Sequence, residues 1–469
     1  MKLNTKRTVT VGFAFMAICA FWQLYDTVVP LILKYTFGIH NEVISGGIMA
    51  LDNVFALFML PLFGALSDRT STKIGKRMPY IIVGTVSAVI FMMLMPISAK
   101  MENLVIFIAA LFLALLSMST FRSPAVSLMP DITPKPLRSK GNAIINLLGS
   151  VGGLITLVLL MVLDTSKYSY VCPNGHTVGD LGSGVQNVLC KSCDKTYEGV
   201  NSELTRINPD YTLVFAILGA IMILSLVVLL LFVKENKFVS EREEIEKKYG
   251  ISDVEPENNT KGTKTKLPKD VARSLVFMLL SVAFWYMGYN AVTSAFSKYS
   301  VEVWKLTDAG TSKCLMVAMG VALVSFVPIG IISSKIGRKK TILAGVLALA
   351  ACFFIAGFCK YEWYIYVIFG LVGIAWASIN VNSFPMVVEM SRGSDIGKYT
   401  GYYYAFSMAA QVITPVVSGV FLNISYRFLF PYATVCVLIS FVTMLLVKHG
   451  DNRPDAKQTA LDALSGGDD

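Results

Sequence analysis

The sequence predicts an all-α membrane protein with twelve spanning helices, arranged as two related bundles of six. Apolar residues make up 54% of the 469 residues and charged residues only 15%, whereas a soluble domain carries about a quarter. Apolar stretches of roughly 20 residues, the length that crosses a bilayer, recur along the whole chain. A third observation is that two similar loops stand at corresponding places in the two halves.

The apolar stretches define the twelve predicted spans. They are continuous apolar runs without period-two alternation, which favours helices over the strands of a barrel. The first stretch is long and lacks a small-residue cleavage site, so we expect a retained span and not a signal peptide. The predicted spans are residues 9–34, 42–66, 79–98, 103–127, 141–163, 210–233, 273–296, 314–333, 341–359, 363–388, 399–422 and 428–447.

Basic residues in the short loops predict the orientation of the chain. The net charge is +10, and the loops on one side of the spans hold most of the Lys and Arg. By the positive-inside rule both termini are expected on the cytoplasmic side of the cell membrane. Charges confined to short loops predict no nucleic-acid partner. These residues are Lys2, Lys6, Arg7, Arg69, Lys73, Lys76, Arg77, Lys135, Arg138, Lys140, Lys335, Arg338, Lys339, Lys340, Arg392 and Lys398.

Changes in composition mark the boundaries of the two predicted bundles, residues 1–234 and 271–448. The segment 235–270 is charged and interrupted by Pro, Asn and Gly, which predicts a solvated cytoplasmic linker. A short surface helix in its EREEIEKKYG part is the alternative. The polar residues 449–469 are predicted to be a disordered tail.

The two halves share a loop motif. Segment Pro124–Asp131, at the end of span four, likewise resembles Pro385–Glu389, at the end of span ten. A repeated unit of six helices is typical of transporters in which two bundles rock about a central site. The shared loop residues are Gly64, Asp68, Arg69, Gly75, Lys76 and Arg77 in the first half, and Gly330, Ser334, Gly337, Arg338 and Lys339 in the second.

The stretch from Pro61 to Pro79 resembles the signature loop of the major facilitator superfamily. Its long gap before Gly75 and the Pro after the basic cluster resemble the glycoside–pentoside–hexuronide cation symporters, and most closely their sucrose-transporter-like branch. The stretch from Pro124 to Thr133 also resembles that family's ending of span four. The resemblance implies a major facilitator fold and secondary transport of a sugar, with no enzymatic activity.

The charges of the signature loops are predicted to gate the transporter. Asp68 and Arg69 stand at helix ends, where they can pair with nearby charges and lock the outward-facing packing. Glycines there allow close helix approach. Because Ser334 replaces the acid in the second half, a weaker lock is expected there. The predicted gating residues are Gly64, Asp68, Arg69, Gly75, Arg77, Asp131, Gly337, Arg338 and Glu389.

Three ionisable residues interrupt the predicted spans: Asp26, Asp52 and Arg122. Such residues are costly in a membrane and usually mark the solute pathway. Asp26 and Asp52 both fall in the outer half of their spans and are expected to share one aqueous cavity, the alternative being solvated rim residues. Arg122 is expected to balance one of these acids or to bind a substrate oxygen. Its alternative is a structural pair with Asp131 or Glu389.

The chain also departs from the resembling family. The sodium-linked melibiose branch carries two aspartates one turn apart before the Pro of span two, and Ala56 and Leu60 stand at these positions here. Its acidic sugar-binding residue in span four is Arg122, and an Arg of its span five is Asn146. The sequence therefore predicts coupling to protons and not sodium, through Asp26 or Asp52, since a carboxylate in a low-dielectric cavity retains a proton more readily.

A sugar site near the midplane should combine hydrogen-bonding groups with aromatic rings that stack on the sugar. Amides near mid-span suit the first role. Aromatic residues suit the second, although Trp and Tyr also serve as interface anchors. The expected cargo is a disaccharide or glucoside. The candidates are Trp22, Gln23, Tyr25, Asn146, Trp285, Tyr289, Asn290, Asn380, Asn382 and Gln411.

A long loop, residues 164–209, separates spans five and six on the predicted outer side. It contains Cys172, His176, Cys190 and Cys193. A C-x3-H followed by C-x2-C has the ligand types and spacing of a structural zinc ribbon. The alternative outside the cytoplasm is a disulfide, which would leave one of the three cysteines unpaired. Four protein ligands predict a zinc that folds the loop and does not catalyse.

The sequence therefore predicts a proton-coupled sugar importer that works by alternating access as a monomer and needs no cofactor for transport. No nucleotide-binding loop of the G-x4-G-K-[ST] type is present, which disfavours an ATP-driven pump. One alternative is a proton-antiport exporter of drugs or metabolites on the same fold. Another is a transporter-like sensor that binds without flux, because a fold alone does not define a function.

Overall fold

A computed structural model describes residues 3–134, 137–182, 185, 187–198, 205–207, 209–249, 268–390 and 396–451. Within these ranges twelve spans are long and apolar enough to cross a membrane, which confirms the predicted fold class. Several predictions lie outside the described residues: the linker from 250 to 267, the tail beyond 451, residues Lys2, Lys135 and Arg392, and the side chains of Lys140 and Lys398.

Six spans build the first bundle, and the second of them is divided into two helices at Ala50. A continuous core, with Phe107 and Phe121 fully buried, joins them. The first span packs against the fifth and sixth, and the third against the fourth and sixth. The helices are α1 (Thr5–Tyr35), α2 (Glu42–Met49), α3 (Leu51–Arg69), α4 (Met78–Lys100), α5 (Leu104–Ile132), α6 (Arg138–Leu163) and α7 (Thr212–Phe232).

The second bundle repeats this plan around its own core, in which Trp285, Phe296 and Phe430 are fully buried. A short 3-10 turn, Tyr426–Phe428, precedes the last helix. The seventh span packs against the eleventh and twelfth, and the eighth and ninth pack against the tenth. The helices are α9 (Lys269–Glu302), α10 (Asp308–Ile336), α11 (Arg338–Phe358), α12 (Tyr364–Glu389), α13 (Ile396–Ile424) and α14 (Leu429–Leu445).

The bundles meet where α6 contacts α10, α2 contacts α13 and α1 contacts α9. Two glycines bring α2 and α13 together backbone to backbone. A Cβ atom on Gly46 would lie 2.1 Å from the carbonyl oxygen of Pro415, and one on Gly419 would lie 2.5 Å from the carbonyl oxygen of Glu42. Small residues allow this approach because no side chain intervenes.

The segment 164–209 is called the ribbon below, and its described residues form two small antiparallel sheets. The first has the strand order β2-β1-β5 and the second is a β3-β4 hairpin. We call the end of the bundles that carries it the ribbon end, and the opposite end, where α3 ends and α4 begins, the loop end. The strands are β1 (Lys167–Val171), β2 (Thr177–Leu181), β3 (Asn187–Cys190), β4 (Lys195–Glu198) and β5 (Thr205–Ile207).

Helices α9 and α10 extend beyond their predicted spans at the ribbon end, to Glu302 and from Asp308. These extra turns are polar, so their hydropathy does not mark them as membrane helix. They are nevertheless buried: Ser300 and Thr311 are at most 1% exposed, and their hydroxyl groups lie 2.6 Å apart in a hydrogen bond. Polar residues that are buried with their hydrogen bonds satisfied continue a helix as well as apolar ones do, and this extension carries charged residues into the contact between the bundles.

The linker differs from its prediction, because residues Glu235–Lys248 form a helix, α8. The expectation of a solvated linker is wrong for this stretch, and the helix begins earlier than the EREEIEKKYG segment. Glu235 is 1% exposed, and its carboxylate accepts the backbone N–H groups of Lys76, Arg77 and Met78 at 3.0–3.1 Å. An acid in this place satisfies free donors at the start of α4 and complements the helix dipole.

The rest of α8 packs on the start of the chain. The Arg7 guanidinium pairs with Glu241 at 2.5 Å and lies 3.9 Å from the centre of the Phe238 ring. The Asn236 amide donates to the carbonyl oxygens of Thr72 and Lys73 at 3.0 and 3.1 Å. The helix is therefore attached to both α1 and the signature loop.

Gly75 is required where α8 meets the signature loop. Its φ is +125°, and a Cβ atom there would lie 2.0 Å from Oε2 of Glu235. We expect Gly75→Ala to cost about 1–3 kcal/mol of stability, because it combines backbone strain with a displaced capping carboxylate. Thermal unfolding of the purified protein in detergent measures this loss.

The matched control is Gly47→Ala in α2, where an added Cβ meets no atom within 4 Å. Alanine is favoured in a helix interior, so this variant should unfold at an unchanged or slightly higher temperature. Equal losses in the two variants would contradict the role given to Gly75.

Candidate functional site

The three ionisable residues within the spans lie in one cluster between α1, α3 and α5. Asp26 and Asp52 are each partly buried and are close enough to interact through their charges. Arg122 interacts electrostatically with Asp52, whose carboxylate also accepts the Asn53 amide at 2.8 Å. The structure thus brings the three residues together, and the aqueous cavity and coupling role expected of them stay predictions.

Aromatic residues of α1 adjoin this cluster. The guanidinium of Arg122 lies 5.9 Å from the centre of the Trp22 ring, and Trp22 meets Tyr25 edge-on with ring centres 5.6 Å apart. The Tyr25 hydroxyl donates to the carbonyl oxygen of Met49 at 3.1 Å, so it connects α1 to α2. The Gln23 amide donates to the Thr27 hydroxyl at 3.0 Å.

The second bundle contributes one predicted aromatic residue to the interface and buries the other. Tyr289 interacts with the charge of Asp26 across the bundles and stacks on Trp376, with ring centres 3.6 Å apart. Sequence analysis missed Trp376, because nothing in an apolar run shows which face a ring takes. Trp285 is fully buried in the second core, which corrects its prediction as a sugar-stacking residue.

Three of the predicted amides have unused hydrogen-bonding capacity within the described residues. Both polar atoms of Asn146, Nδ2 of Asn290 and Oδ1 of Asn382 are buried without a protein partner. The Nδ2 atom of Asn382 donates to the carbonyl oxygen of Ser378 at 2.9 Å. A buried polar group without a partner costs about 1–3 kcal/mol, so these atoms offer bonds to water or a polar solute. Asn380 and Gln411 are partly buried.

Asn146 also faces the second bundle. It lies two turns before Gly153 on α6, so both residues occupy the same helix face. A Cβ atom on Gly153 would lie 2.6 Å from the methyl carbon of Met319 in α10. The amide therefore stands on the side of α6 along which the two bundles meet.

At the loop end, Arg77 contacts three of the other predicted gating residues of the first half. Its guanidinium pairs with Asp68, with Asp131 at 2.9 Å, and with the Gly64 carbonyl oxygen at 3.2 Å. These contacts join the ends of α3, α4 and α5. Arg69 is exposed and forms no ion pair among the described residues, so Asp68 pairs with Arg77 and not with its neighbour.

The second half repeats this arrangement with fewer charges. Arg338 pairs with Glu389, while the Ser334 hydroxyl bonds within its own helix at 2.7 Å; the weaker lock stays a prediction. Gly337 has a φ of +102°, and Asp451 accepts the backbone N–H of Lys339 at 3.0 Å. Asp131 and Glu389 thus have basic partners other than Arg122, which disfavours the structural alternative for that residue.

Glu235 and Asp451 occupy corresponding positions that the sequence analysis missed. Each follows the last span of its bundle and contacts the start of the third span of that bundle, α4 or α11, beside a glycine with positive φ. The available signal was an acidic residue shortly after each final span. The many other charged residues of the linker and tail made these two acids indistinguishable by sequence alone.

The ribbon end carries a polar network between the bundles that the sequence analysis also missed. Glu42 of α2 and Lys298 of α9 form an ion pair in which both side chains are at most 4% exposed. The Ser45 hydroxyl lies 3.0 Å from the Lys298 amine, and the Tyr426 hydroxyl donates to Glu42. A buried pair of this kind depends on each partner to compensate the other's desolvation.

Lys34 and Tyr35 extend this network from the end of α1. The Lys34 amine lies 2.6 Å from the Glu302 carboxylate and 2.8 Å from the Tyr426 hydroxyl. The Tyr35 hydroxyl donates to Glu302 at 2.6 Å. The first bundle therefore supplies the cation and a hydroxyl here, and the second supplies the carboxylate.

A third contact joins the ribbon to Asp308, the first residue of α10. The Asp308 carboxylate is 2.5 Å from Nη2 of Arg206 and accepts the Tyr211 hydroxyl at 2.9 Å and that of Thr165 at 3.2 Å. Its backbone N–H donates to the Ser166 hydroxyl at 2.9 Å. Among the described residues, the ion pairs between bundles all lie at the ribbon end, so the bundles are joined there.

The four predicted metal ligands of the ribbon converge. Their ligand atoms lie within 4.8 Å of one another, with sulfur–sulfur distances of 3.5–3.9 Å and 3.0 Å between Nδ1 of His176 and Sγ of Cys193. A disulfide would need about 2.0 Å between sulfurs, and all three cysteines are free. Hydrogen bonding to Asn174 and His176 lowers the pKa of the Cys193 thiol to about 6, which favours the thiolate that metals bind.

These features define the class of protein when they are compared with known families. The family described as "MFS/sugar transport protein" matches residues 10–391, and the chain belongs to it. The protein is a multi-pass membrane transporter of the major facilitator superfamily for small molecules and is not an enzyme. The superfamily resemblance of the signature loop is thereby confirmed.

Individual relatives are more distant. The uncharacterized MFS-type transporter MJ1317 of Methanocaldococcus jannaschii is 27% identical over 126 residues, which cover 26% of this chain and 30% of that protein. The chain thus matches less than a third of that relative's length.

Solved structures share the fold. The inward-open xylose transporter XylE from E. coli has a TM-score of 0.61 and 14% identity over 97% of this chain and 98% of that chain. The nucleoside transporter NupG has a TM-score of 0.63 and 12% identity over 95% and 100%. A D-xylose-proton symporter has a TM-score of 0.62 and 14% identity over 94% and 98%.

The unused amide of Asn146 leads to a prediction that separates binding from stability. Asn146→Leu removes a buried group without a protein partner, so it should raise the melting temperature by roughly 2 °C. The same change should slow transport, because the amide offers its bonds to the solute. Thermal unfolding and uptake by reconstituted protein measure the two effects.

The control is Asn423→Leu. The Asn423 amide accepts the backbone N–H of Glu42 at 2.6 Å and donates to Asn41 at 3.2 Å, so its loss should lower the melting temperature. Normal transport by Asn146→Leu would remove Asn146 from the candidate site.

Proposed function

We propose that this protein is a secondary active transporter that imports a sugar, a disaccharide or glucoside, together with protons. The observation that carries the proposal is the cluster of Asp26, Asp52 and Arg122 between helices of a membrane bundle, together with buried amides of both bundles that have unused hydrogen bonds. Charged groups at this depth are retained where they serve a solute or ion pathway. The family's description and the sucrose-transporter-like signature loop support sugar as the cargo.

By the positive-inside rule, we propose that the loop end and both termini lie on the cytoplasmic side of the cell membrane. The ribbon then lies outside. On this orientation the inter-bundle ion pairs close the outer end, and we propose that the state described is inward-facing. A single chain contains both bundles, so we propose that the monomer is the working unit.

Proton coupling would act through the carboxylates of Asp26 and Asp52. When both are ionised, two negative charges share a site of low dielectric constant and face the single positive charge of Arg122, which is unfavourable. Binding a proton neutralises one of them. The bundles can then reorient around a site without an excess charge, and the sugar held by amides of both halves crosses with the proton.

The loop-end charges would gate the cytoplasmic side. In the state described, Arg77 and Arg338 pair with acids of their own bundles, so neither holds the two bundles together. We propose that, in the outward-facing state, these helix ends meet across the interface and close the cytoplasmic side. The glycines at positions 64, 75 and 337 permit the close packing of these helix ends within each bundle.

We also propose that the ribbon holds a structural zinc ion. Cys172, His176, Cys190 and Cys193 supply the three sulfurs and one nitrogen of a tetrahedral site without a free position for a substrate. Distances of 3.5–3.9 Å between sulfurs suit ligands about 2.3 Å from a common ion. The ion would fold the ribbon and take no part in the transport chemistry.

The coupling assignment is tested by uptake of labelled sugars into proteoliposomes under imposed proton or sodium gradients. We expect accumulation that depends on the proton gradient. Asp26→Asn and Asp52→Asn should each abolish accumulation but retain sugar exchange at equal concentrations, because exchange needs no net proton movement. The amide keeps the side chain's size and removes the group that binds the proton.

Asp180→Asn is the matched control, since Asp180 is an exposed ribbon residue whose one ion pair among the described residues is with Lys167. It should accumulate sugar normally. Accumulation driven by sodium and insensitive to pH would overturn the proton assignment. Binding of every tested sugar without flux would favour the sensor alternative.

The zinc assignment is tested by elemental analysis of the purified protein. We expect about one zinc ion per chain, and its loss from a variant with Cys190→Ser and Cys193→Ser. Cys436→Ser, which changes a buried cysteine of α14 outside the ribbon, should keep the metal. Equal, low zinc in all three proteins would contradict the site.

A further inference from the structure

We propose that zinc in the ribbon regulates the transporter by strengthening the contact between the ribbon and Asp308, and so stabilises the state closed at the ribbon end. This inference rests on the proposed zinc site and goes beyond its folding role. It makes the ribbon a regulatory element that responds to metal on the outer side of the membrane.

The first observation is that the ribbon crosses from one bundle to the other. In the chain it connects α6 to α7, both of the first bundle. Its residues Thr165, Ser166 and Arg206 nevertheless contact Asp308, where α10 of the second bundle begins. Any separation of the bundles at this end must therefore break the ribbon's contact with Asp308.

The second observation is that this contact is buried and charged. Asp308 is 2% exposed, and the Arg206 side chain is 5% exposed. The Arg206 guanidinium also lies 5.0 Å from the centre of the Tyr35 ring. Removing one member of a buried ion pair leaves the other without compensation for its desolvation. The closed arrangement is thus favoured as long as Arg206 remains in place.

The third observation connects the metal ligands to Arg206 through one strand. Cys172 directly follows β1, and Thr165 and Ser166 directly precede it. Strand β5 pairs with β1, with Arg206 opposite Tyr168. Strand β2, which begins after His176, pairs with the other edge of β1. A metal that fixes Cys172 and His176 therefore also fixes the strand against which Arg206 is held.

The described part of the ribbon has a small apolar core. Four residues are buried in it, Tyr170, Cys172, Val188 and Cys190, with five partly buried residues packed against them, and two of the four are proposed metal ligands. A core of this size stabilises a sheet poorly, so small domains of this kind depend on their metal to fold. Loss of zinc should loosen β1 and β5, release Arg206 from Asp308 and favour opening at the ribbon end.

Distances between the bundles at the ribbon end test this inference without any transport assay. Met101, after α4, and Trp363, before α12, are 63% and 74% exposed on different bundles. Nitroxide labels attached through keto amino acids at these two positions leave the cysteines free. Electron–electron double resonance on the full-length protein then reports the ratio of open to closed molecules with zinc present and after its removal by chelation.

We expect zinc removal to raise the open-to-closed ratio at least about fivefold, the lower range of typical coupling between sites. The variant with Cys190→Ser and Cys193→Ser should match the zinc-depleted protein. Asp308→Asn should raise the ratio with its zinc content unchanged, and chelation should then add little. Asp180→Asn, a change of the same kind on the exposed side of the ribbon, should behave as the unmodified protein.

Two outcomes overturn the inference and leave the zinc site standing: bound zinc whose removal leaves the distances unchanged, or a full response to chelation that persists in Asp308→Asn. Absence of zinc from the purified protein overturns the zinc site and this inference together. None of these three results bears on sugar transport, because the proteoliposome assay measures transport separately.

Discussion

The arrangement of this transporter depends on one constraint: charges buried between the two bundles must be paired. Three ion pairs each have one charge on the first bundle and the opposite charge on the second: Glu42 with Lys298, Lys34 with Glu302, and Arg206 with Asp308. Because a buried charge without its partner is strongly unfavourable, these three pairs hold the bundles together at the ribbon end. The polar extensions of α9 and α10 exist to carry three of the six side chains into this contact.

The same chemistry acts differently at the loop end. There Arg77 and Arg338 pair with acids on their own bundle, and Glu235 and Asp451 contact the helix starts beside them. These contacts connect several helix ends of one bundle, so each bundle can move as a unit. The loop end is thus stabilised by contacts within each bundle and the ribbon end by contacts between the bundles. A rocking motion of the bundles would break only the contacts between them.

Much of the fold and part of the site could be predicted because they are local properties of the chain. An apolar run of about 20 residues is visible without knowing its neighbours, and so is an acid such as Asp26 within it. The convergence of the ribbon's cysteines and histidine was also predictable, since Cys172 and His176, like Cys190 and Cys193, are close in sequence. The predictions failed where they depended on which face of a helix a side chain occupies. Trp285 and Trp376 both lie in apolar helices, yet Trp285 is fully buried and Trp376 stacks on Tyr289.

By itself, then, the amino-acid sequence determined the twelve spans, the repeated halves, the intramembrane charges and the Cys/His cluster of the ribbon, because each follows from composition or short spacing. Only the tertiary structure decided which charges pair. Lys298 lies far along the chain from Glu42, and Glu235 lies far from the signature loop that it caps. The physical reason is that the energy of a buried charge depends on what faces it in space, and residues distant in sequence provide that partner.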